Sequence, residues 1–239
     1  MTVRAYMLDV AGLEQEANGP EFARLCAALS SRRQKKIEAF RFQSGKALSL
    51  GAGLLLDYGL FQYGLREREV AIAYGADEKP YLRDFPEIHF NLSHSGTLAM
   101  AVFADRETGC DVEQVKTPDM RVARRFFAPE EVKVLEEADG EAGRSKFFYR
   151  FWTLKESFLK VTGSGLRMPL DEFCIHLGPP VQVGRGGKIL DYVFGEFGYP
   201  GYRAAVCVEK GGKEAPVIPE PEFLSWEQIL SFQNVLNVL

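Results

Sequence analysis

Two acidic residues spaced two positions apart, Asp111 and Glu113, are the first residues of this 239-residue sequence that could carry chemistry. The apolar stretch around them predicts a β-strand over 110–115, and side chains at i and i+2 of a strand point to the same face. The two carboxylates are therefore expected to lie side by side. The same alternation is also typical of a strand with one face in water, so the pattern needs a second group to indicate a site.

A predicted helix over 146–161 supplies a second group. Its apolar residues recur at alternating spacings of four and three and form one stripe: Phe147, Phe151, Leu154, Phe158 and Val161. At about 100° per residue, Glu156 falls on the opposite side of the helix, with Lys160 one turn further along. These two residues fit either a solvent-facing ion pair or part of a site. Three carboxylates could bind Mg²⁺, which prefers oxygen ligands, and the lysine would neutralise charge on a departing phosphate.

The composition restricts the class of protein. Hydrophobic residues make up 46% and charged residues 26% of the chain, which is enough apolar material for one large domain or two small ones. The net charge of -4 argues against a general nucleic-acid or membrane surface. The sequence has no signal-peptide pattern, no apolar run of about 18 residues and no closely paired cysteines. These features predict a reduced, cytoplasmic protein.

Hydrophobic periodicity divides the chain into two similar halves. In the first half it predicts a strand over 3–10, helices over 20–29 and 44–59, a loop over 75–86, an extended segment over 88–93 and a strand over 97–104. In the second half it predicts a strand over 110–115, helices over 129–138 and 146–161 and a strand over 202–209. The similar stretches 99–105 and 203–209 favour two related α/β halves, 1–105 and 106–221. Residues 222–239 are a predicted helical tail, which either packs back on the body or binds a partner.

Four short motifs follow one another in the middle of the chain. They are Lys79-Pro80, FNLSHSG over 90–96, GCDVE over 109–113 and WTLKESFLKVTGSGL over 152–166. In this order they resemble the signature motifs of the 4'-phosphopantetheinyl transferase superfamily, in particular those of its larger, surfactin-synthetase-activating (Sfp) type. Two positions depart from the family pattern. Cys110 stands where Ile or Val is usual, and Glu78 stands where Gly is common.

The resemblance implies a fold and a reaction. The fold is α+β, a pseudo-twofold arrangement of two similar α/β halves, with coenzyme A in the cleft between them. The reaction is the Mg²⁺-dependent transfer of the phosphopantetheine arm of coenzyme A to a serine of an acyl or peptidyl carrier protein, which releases adenosine 3',5'-bisphosphate. By the same resemblance Asp111, Glu113 and Glu156 would hold Mg²⁺. Glu156 is also the candidate general base, and Lys160 would stabilise the leaving group and contact coenzyme A.

The resemblance also implies residues that bind coenzyme A. Ser93 and His94 would contact its phosphates, Lys79 its nucleotide, and Pro80 would shape the loop against the adenine. A basic residue of the region 33–46 is expected on the 3'-phosphate, with Arg41 and Lys46 as candidates. Lys155 is interpreted as a secondary phosphate contact.

The partner implied is a carrier protein of fatty-acid, polyketide or nonribosomal-peptide synthesis, bound by a monomeric enzyme. Its acidic surface could meet a cationic and apolar edge. The candidates for that edge are Arg121, Arg124, Arg125, Phe126 and Phe127. The alternative is a helix whose arginines are simply solvated.

Two other functions are compatible with parts of the pattern. One is a non-catalytic module that binds coenzyme A or a carrier protein, but retention of all three carboxylates and Lys160 favours the enzyme. The other is a different Mg²⁺-dependent nucleotide phosphotransferase, which the lack of a P-loop motif disfavours.

Overall fold

The computed structural model describes residues 2–15, 19–75, 78–212 and 214–236 of the chain. Its first half contains β1 (Arg4–Asp9), α1 (Ala11–Gln15), α2 (Pro20–Ala27), α3 (Ser31–Glu38), α4 (Gln43–Phe61), β2 (Ile72–Tyr74), β3 (Pro80–Leu82), β4 (His89–Ser95) and β5 (Leu98–Ala104). Its second half contains β6 (Thr108–Gln114), α5 (Met120–Phe126), α6 (Pro129–Glu136), α7 (Gly140–Thr162), β7 (Cys174–His176), β8 (Gln182–Arg185), β9 (Lys188–Ile189), β10 (Tyr192–Tyr199) and β11 (Tyr202–Glu209). The chain continues with β12 (Glu222–Phe223) and α8 (Trp226–Leu236).

Each half is built on a sheet that is covered by one long helix. In the N-terminal half the strand order is β12-β1-β5-β4, with β12 parallel to β1 and the other pairs antiparallel. In the C-terminal half the order is β10-β11-β6, and both pairs are antiparallel. Helix α4 packs on the first sheet and helix α7 packs on the second. The predicted α+β fold, a pseudo-twofold arrangement of two similar halves, is therefore confirmed.

The two sheets also pack against each other. Met7, Met100 and Val102 of the first sheet share a buried cluster with Val112 and Val206 of the second. The other face of each sheet packs on the helix of its own half. Because alternate side chains of a strand point to opposite faces, the fully buried β5 contributes to cores on both sides. Strands β4 and β6 lie next to each other at the junction of the halves.

Helix α7 differs from its prediction in length and in surroundings. It begins at Gly140, six residues before the predicted start, and ends at Thr162. The predicted apolar stripe does pack in the core of the C-terminal half. The opposite side of the helix is not a solvent face, because β6 lies against it and leaves Glu156 and Lys160 only partly exposed. A further short strand, β3, falls within the segment predicted as a loop.

The C-terminal segment returns to the N-terminal half. Strand β12 pairs with β1, and Leu224 and Ile229 belong to the core under α4. Phe232 of α8 packs edge to face on Tyr58 and Phe61 of α4. Helix α8 therefore packs on the body. Within the ranges that the structure describes, no helix combines the length and the apolar character needed to cross a membrane.

Candidate active site

A ladder of polar side chains joins β4 to β6. Three side-chain oxygens of β4 accept hydrogen bonds from the backbone N–H groups of every second residue of β6. They are Asn91 Oδ1, Ser93 Oγ and Ser95 Oγ, with donor–acceptor distances of 3.0, 3.3 and 3.2 Å. These three residues share one face of β4 because they are two positions apart. The N-x-S-x-S spacing of the motif therefore fixes the edge of one half against the edge of the other.

The same serines hold the two acidic residues of β6. Ser93 Oγ donates to Asp111 Oδ1 at 2.9 Å, and Ser95 Oγ donates to Glu113 Oε2 at 2.6 Å. Asp111 is only 3% exposed. Its second oxygen, Oδ2, is buried without a hydrogen-bond partner in the described part of the chain. The pair of carboxylates thus lies on one face of β6, at the junction of the halves.

Gly109 allows α7 to approach this strand. A Cβ atom at position 109 would lie 2.5 Å from the backbone nitrogen of Val161 and closer still to the carbonyl oxygen of Ser157. Only glycine permits such an approach of two backbones. The residues of α7 that face β6 are therefore brought directly to Asp111.

Lys160 reaches Asp111 as a result. Its Nζ donates to Asp111 Oδ1 at 2.7 Å, to the Cys110 carbonyl at 3.0 Å and to Ser93 Oγ at 3.0 Å. The ammonium is therefore held by β4 and β6 together. This explains why a lysine one turn after Glu156 belongs to the site.

The other two carboxylates of the site, Glu113 and Glu156, carry negative charge that is only partly compensated. Desolvation, followed by the charge of Asp111, raises the pKa of Glu156. Desolvation also raises the pKa of Glu113, against the opposing effect of its Ser95 hydrogen bond. Trp152 of α7 also acts to lower the pKa of Glu113, an effect that its place in the sequence motif does not reveal. Among the described residues, no group of three or more His, Cys, Asp or Glu side chains already stands in an arrangement that would hold a metal ion.

A second group of positive charges acts on His94. This residue lies on the face of β4 opposite to Ser93 and Ser95. Desolvation and then the charges of Lys160, Lys36 and Arg33 lower its pKa. Desolvation and the charge of Arg33 likewise lower the pKa of Lys36. Cations of α3 therefore lie beside the site.

Arg33 is the buried member of this group. It is 7% exposed and lies against α4, where its side chain would contact a Cβ atom at Gly53. Its Nε atom and the hydroxyl of Ser49, one turn before Gly53, are buried without hydrogen-bond partners within the described ranges. Unsatisfied donors of this kind suit an anionic ligand.

The candidates predicted for the 3'-phosphate, Arg41 and Lys46, lie elsewhere. Arg41 is exposed, with its guanidinium over the ring of Phe42. Lys46 lines a groove of about 280 Å³ beside Cys26. Neither is among the described charges that act on His94. Arg33 and Lys36 are the residues of this basic run whose charges do act on His94. The sequence could not single them out, because every residue of the run looks alike before the packing of α3 is known.

Lys79 ties the loop before β3 to β6 and α7. Its Nζ donates to Glu107, to the Thr108 carbonyl at 3.1 Å and to the Val161 carbonyl at 2.9 Å. These bonds use all three donors of the ammonium, so a contact of Lys79 with a nucleotide would have to use its backbone or its stem. Pro80 lines two adjoining clefts of about 550 and 290 Å³, and the smaller one contains Glu156 and Lys160.

Lys155 does not face the site. It is completely buried, and its Nζ pairs with Glu131 at 2.9 Å and donates to the carbonyls of Leu170 and Phe173, both at 2.8 Å. The prediction of a phosphate contact is therefore corrected. The side chain points from α7 into the C-terminal core, where it holds α6 and the segment after α7.

The predicted carrier edge is only partly at the surface. Phe127 is 3% exposed and packs among the aromatic rings of α7, so its assignment to a carrier-binding surface is corrected. Phe126 is 37% exposed, with the guanidinium of Arg125 over its ring. Arg121 and Arg124 are exposed and pair with Asp119 and Glu136.

The fold and the site together define a class of two-half α+β proteins with a carboxylate cluster and a lysine between the halves. The family model of the 4'-phosphopantetheinyl transferase superfamily matches residues 107–207. The 4'-phosphopantetheinyl transferase Sfp of Bacillus subtilis (strain 168) is 31% identical over 225 residues, covering 91% of this chain and 95% of that protein. The 4'-phosphopantetheinyl transferase psf-1 of Bacillus pumilus is 27% identical over 238 residues, covering 97% and 99%. A 4'-phosphopantetheinyl transferase of Bacillus subtilis is 32% identical over 168 residues, covering 69% and 74%.

The chain belongs to the 4'-phosphopantetheinyl transferase superfamily, a family of enzymes. The match with the Sfp-type relatives extends over most of both chains. This confirms the family and the type that the four motifs predicted.

Proposed function

We propose that the enzyme transfers the 4'-phosphopantetheine arm of coenzyme A to a serine hydroxyl of an apo acyl or peptidyl carrier protein, in a reaction that needs Mg²⁺. The observation that carries this proposal is the convergence of Asp111, Glu113, Glu156 and Lys160 beside a second group of cations around His94. The first group suits a pyrophosphate with its metal ion, and the second suits a separate phosphate. Coenzyme A carries both.

The carboxylates fit a Mg²⁺ ion. Asp111 Oδ2 is buried with no partner in the described residues, and desolvation together with neighbouring negative charge raises the pKa of both Glu113 and Glu156. Three carboxylates, Asp111, Glu113 and Glu156, would supply the oxygen ligands that this ion prefers. When bound, Mg²⁺ would neutralise pyrophosphate charge and polarise the phosphoryl oxygens.

Glu156 is the proposed general base. A serine hydroxyl is a weak nucleophile at neutral pH and needs a proton acceptor beside it, which the Glu156 carboxylate can supply in the cleft that it shares with Lys160. The serine oxygen forms a bond to the β-phosphorus, while the bond from that phosphorus to the bridging oxygen of the pyrophosphate breaks. The serine proton passes to Glu156, directly or through one water. Lys160 then stabilises the negative charge on the leaving adenosine 3',5'-bisphosphate.

The nucleotide end of coenzyme A is assigned to the first half. Arg33, Lys36 and His94 are proposed to bind the 3'-phosphate, since a buried guanidinium with an unused donor suits a phosphate oxygen. Lys79 and Pro80 would place their loop against the adenine. Ser93 has its hydroxyl engaged by Asp111 and Lys160, so its part is to hold those two groups.

The carrier protein is proposed to dock on the exposed part of α5. Arg125 and Phe126 offer a cation stacked on an apolar ring, which suits an acidic partner with an apolar centre. Arg121 and Arg124 could contribute after exchanging their present acidic partners. The enzyme is proposed to act as a monomer in the cytoplasm, where its four free cysteines would remain reduced.

The test is a transfer assay read by intact mass. Purified protein is incubated with coenzyme A, Mg²⁺ and an apo carrier protein, and the carrier is weighed. The proposal expects a gain of one phosphopantetheinyl group, which EDTA or Glu156→Gln abolishes. No gain with both acyl and peptidyl carriers, while coenzyme A still binds, would instead indicate a non-catalytic binding module.

A further inference from the structure

A buried carboxylate, Asp57 of α4, connects the C-terminal helix to the rest of the N-terminal half. It is completely buried and accepts four hydrogen bonds. Two come from Arg66 at 2.9 and 2.7 Å, one from the backbone N–H of Glu67 at 2.9 Å, and one from Gln233 Nε2 of α8 at 2.9 Å. The network is well satisfied, and such networks hold their members in a single arrangement.

The next residue of this network, Glu67, holds the N-cap residue of α3, the helix that carries the proposed phosphate-binding cations. Glu67 is also completely buried, and its carboxylate accepts from the Ser30 backbone N–H at 2.6 Å and from Ser30 Oγ at 2.8 Å. Ser30 is the N-cap of α3, and its hydroxyl accepts from the backbone N–H of Arg33 at 3.3 Å. The start of α3 is thus fixed by Glu67 rather than by solvent.

Glu67 also acts on Arg33 directly. Burial lowers the pKa of the Arg33 guanidinium, and the charge of Glu67 opposes that effect. One carboxylate therefore both positions the first turn of α3 and helps to keep its buried cation charged. Arg33 and Lys36 follow within a turn and a half of Ser30, so a small shift of the cap moves both toward or away from His94.

Helix α8 holds this network from the other side. The guanidinium of Arg66 lies 5.6 Å from the ring centre of Phe232, in addition to its two bonds to Asp57. Asn234 accepts from Arg24 of α2 at 2.8 Å, which is a second tie between α8 and the helices of this half. Gln233 is 2% exposed, so its amide is committed to Asp57.

We propose that α8 is a positioning element for the 3'-phosphate site, and that Gln233 and Glu67 are positioning residues that set the affinity for coenzyme A without touching it. The path runs from Gln233 through Asp57 and Glu67 to the cap of α3. This inference rests on the proposed function, because it takes Arg33, Lys36 and His94 as the site of that phosphate.

The test compares coenzyme A with 3'-dephospho-coenzyme A, each measured by calorimetry on Gln233→Leu and on Glu67→Gln. We expect each substitution to weaken coenzyme A binding by about fivefold to tenfold, which is the effect of about one lost hydrogen bond. The affinity for the 3'-dephospho compound, which lacks the group that α3 is proposed to contact, is expected to change by less than about twofold. The rate of transfer at saturating coenzyme A should stay unchanged. Gln62→Leu, the same change at an exposed residue after α4, is the matched control.

A second measurement is independent of the ligand. Hydrogen exchange of the α3 amides in the ligand-free protein should become faster in Gln233→Leu and stay unchanged in Gln62→Leu. Equal weakening of both compounds, or unchanged binding of coenzyme A in both variants, would overturn the inference. If the unsubstituted protein binds coenzyme A and 3'-dephospho-coenzyme A equally, the proposed phosphate site itself is wrong. In that case the rate of hydrogen exchange of the α3 amides still decides whether α8 holds that helix. If one variant does not fold, the other one decides.

Discussion

Lys160 donates to Oδ1 of Asp111 at 2.7 Å, while Oδ2 of the same carboxylate is buried without a partner in the described part of the chain. The positive charge of Lys160 thus compensates only part of the negative charge of the site, because Glu113 and Glu156 add two further carboxylates. The pKa of each of these two groups is raised. The ligand-free protein is therefore expected to carry excess negative charge between its halves.

Mg²⁺ should stabilise the protein in a pH-dependent way. Because the pKa values of Glu113 and Glu156 are raised in the folded state, the folded protein binds more protons than the unfolded chain at pH values between the ordinary and the raised pKa of a glutamate. The free energy of unfolding therefore falls as pH rises through that interval. Mg²⁺ offsets this loss once the carboxylates are ionised. At an ion concentration about a hundredfold above Kd, we expect a Tm increase of about 5–10 °C at pH 8. Calorimetric scans should show almost none of it near pH 4.5, and an equal increase at both pH values would contradict the site.

Glu156→Gln should separate stability from activity. Without Mg²⁺ at pH 8, loss of one partly buried negative charge is expected to raise the free energy of unfolding by about 1 kcal/mol. Transfer should fall at least about a hundredfold, because the proton acceptor is lost. Urea unfolding and the mass assay measure the two effects. Glu137→Gln, at an exposed residue, should change neither; a destabilised Glu156→Gln would contradict the charge argument.

Lys155→Met tests whether that lysine stabilises the C-terminal core through its pair with Glu131. Because Glu131 would be left buried and unpaired, we expect a loss of about 3–5 kcal/mol in the free energy of unfolding. The double variant with Glu131→Gln should lose less than the sum of the two single changes. Coenzyme A affinity of the folded double variant should match that of the unsubstituted protein. A selective loss of affinity with normal stability would instead restore the phosphate role.

Gly109→Ala should disturb the approach of α7 to β6. The added methyl group would overlap the backbone at Ser157 and Val161, so one of the two elements must move. We expect a loss of about 1–3 kcal/mol in stability and about a hundredfold in transfer rate, since the carboxylates of the two elements would no longer meet. Gly12→Ala is the control, because a Cβ atom there has no neighbour within 4 Å. Normal transfer by Gly109→Ala would show that this close approach is not needed.

Glu78→Gly should stabilise the loop before Lys79. Glu78 has a φ of 59°, in the left-handed region that favours glycine. The substitution should relieve about 1 kcal/mol of backbone strain, but glycine also increases the conformational entropy of the unfolded chain. The net increase in the free energy of unfolding should therefore be at most about 0.5 kcal/mol. Glu87→Gly, at a loop residue outside that region, is expected to lower stability. The same result for both variants would mean that the strain is absent.

The positions proposed to carry the chemistry were readable from the sequence. Asp111 and Glu113 share a face because of the two-residue period of a strand, and Lys160 follows Glu156 by one turn because of the period of a helix. Glu78, which stands where the motif pattern predicts glycine, does adopt a backbone conformation that glycine prefers. Local periods and φ preferences act within a few residues, so a sequence displays them directly.

The tertiary structure decided which side chains meet. Lys155 and Lys160 are both lysines of one helix, yet Lys155 ends in the core on Glu131 and Lys160 ends on Asp111. Arg33 acts on His94 through its charge, whereas Arg41, from the same basic region, lies over the ring of Phe42 at the surface. These outcomes depend on which surface of each helix another element covers. Such packing is set by residues distant in the chain, among them Gly109 against α7, and no local pattern records it.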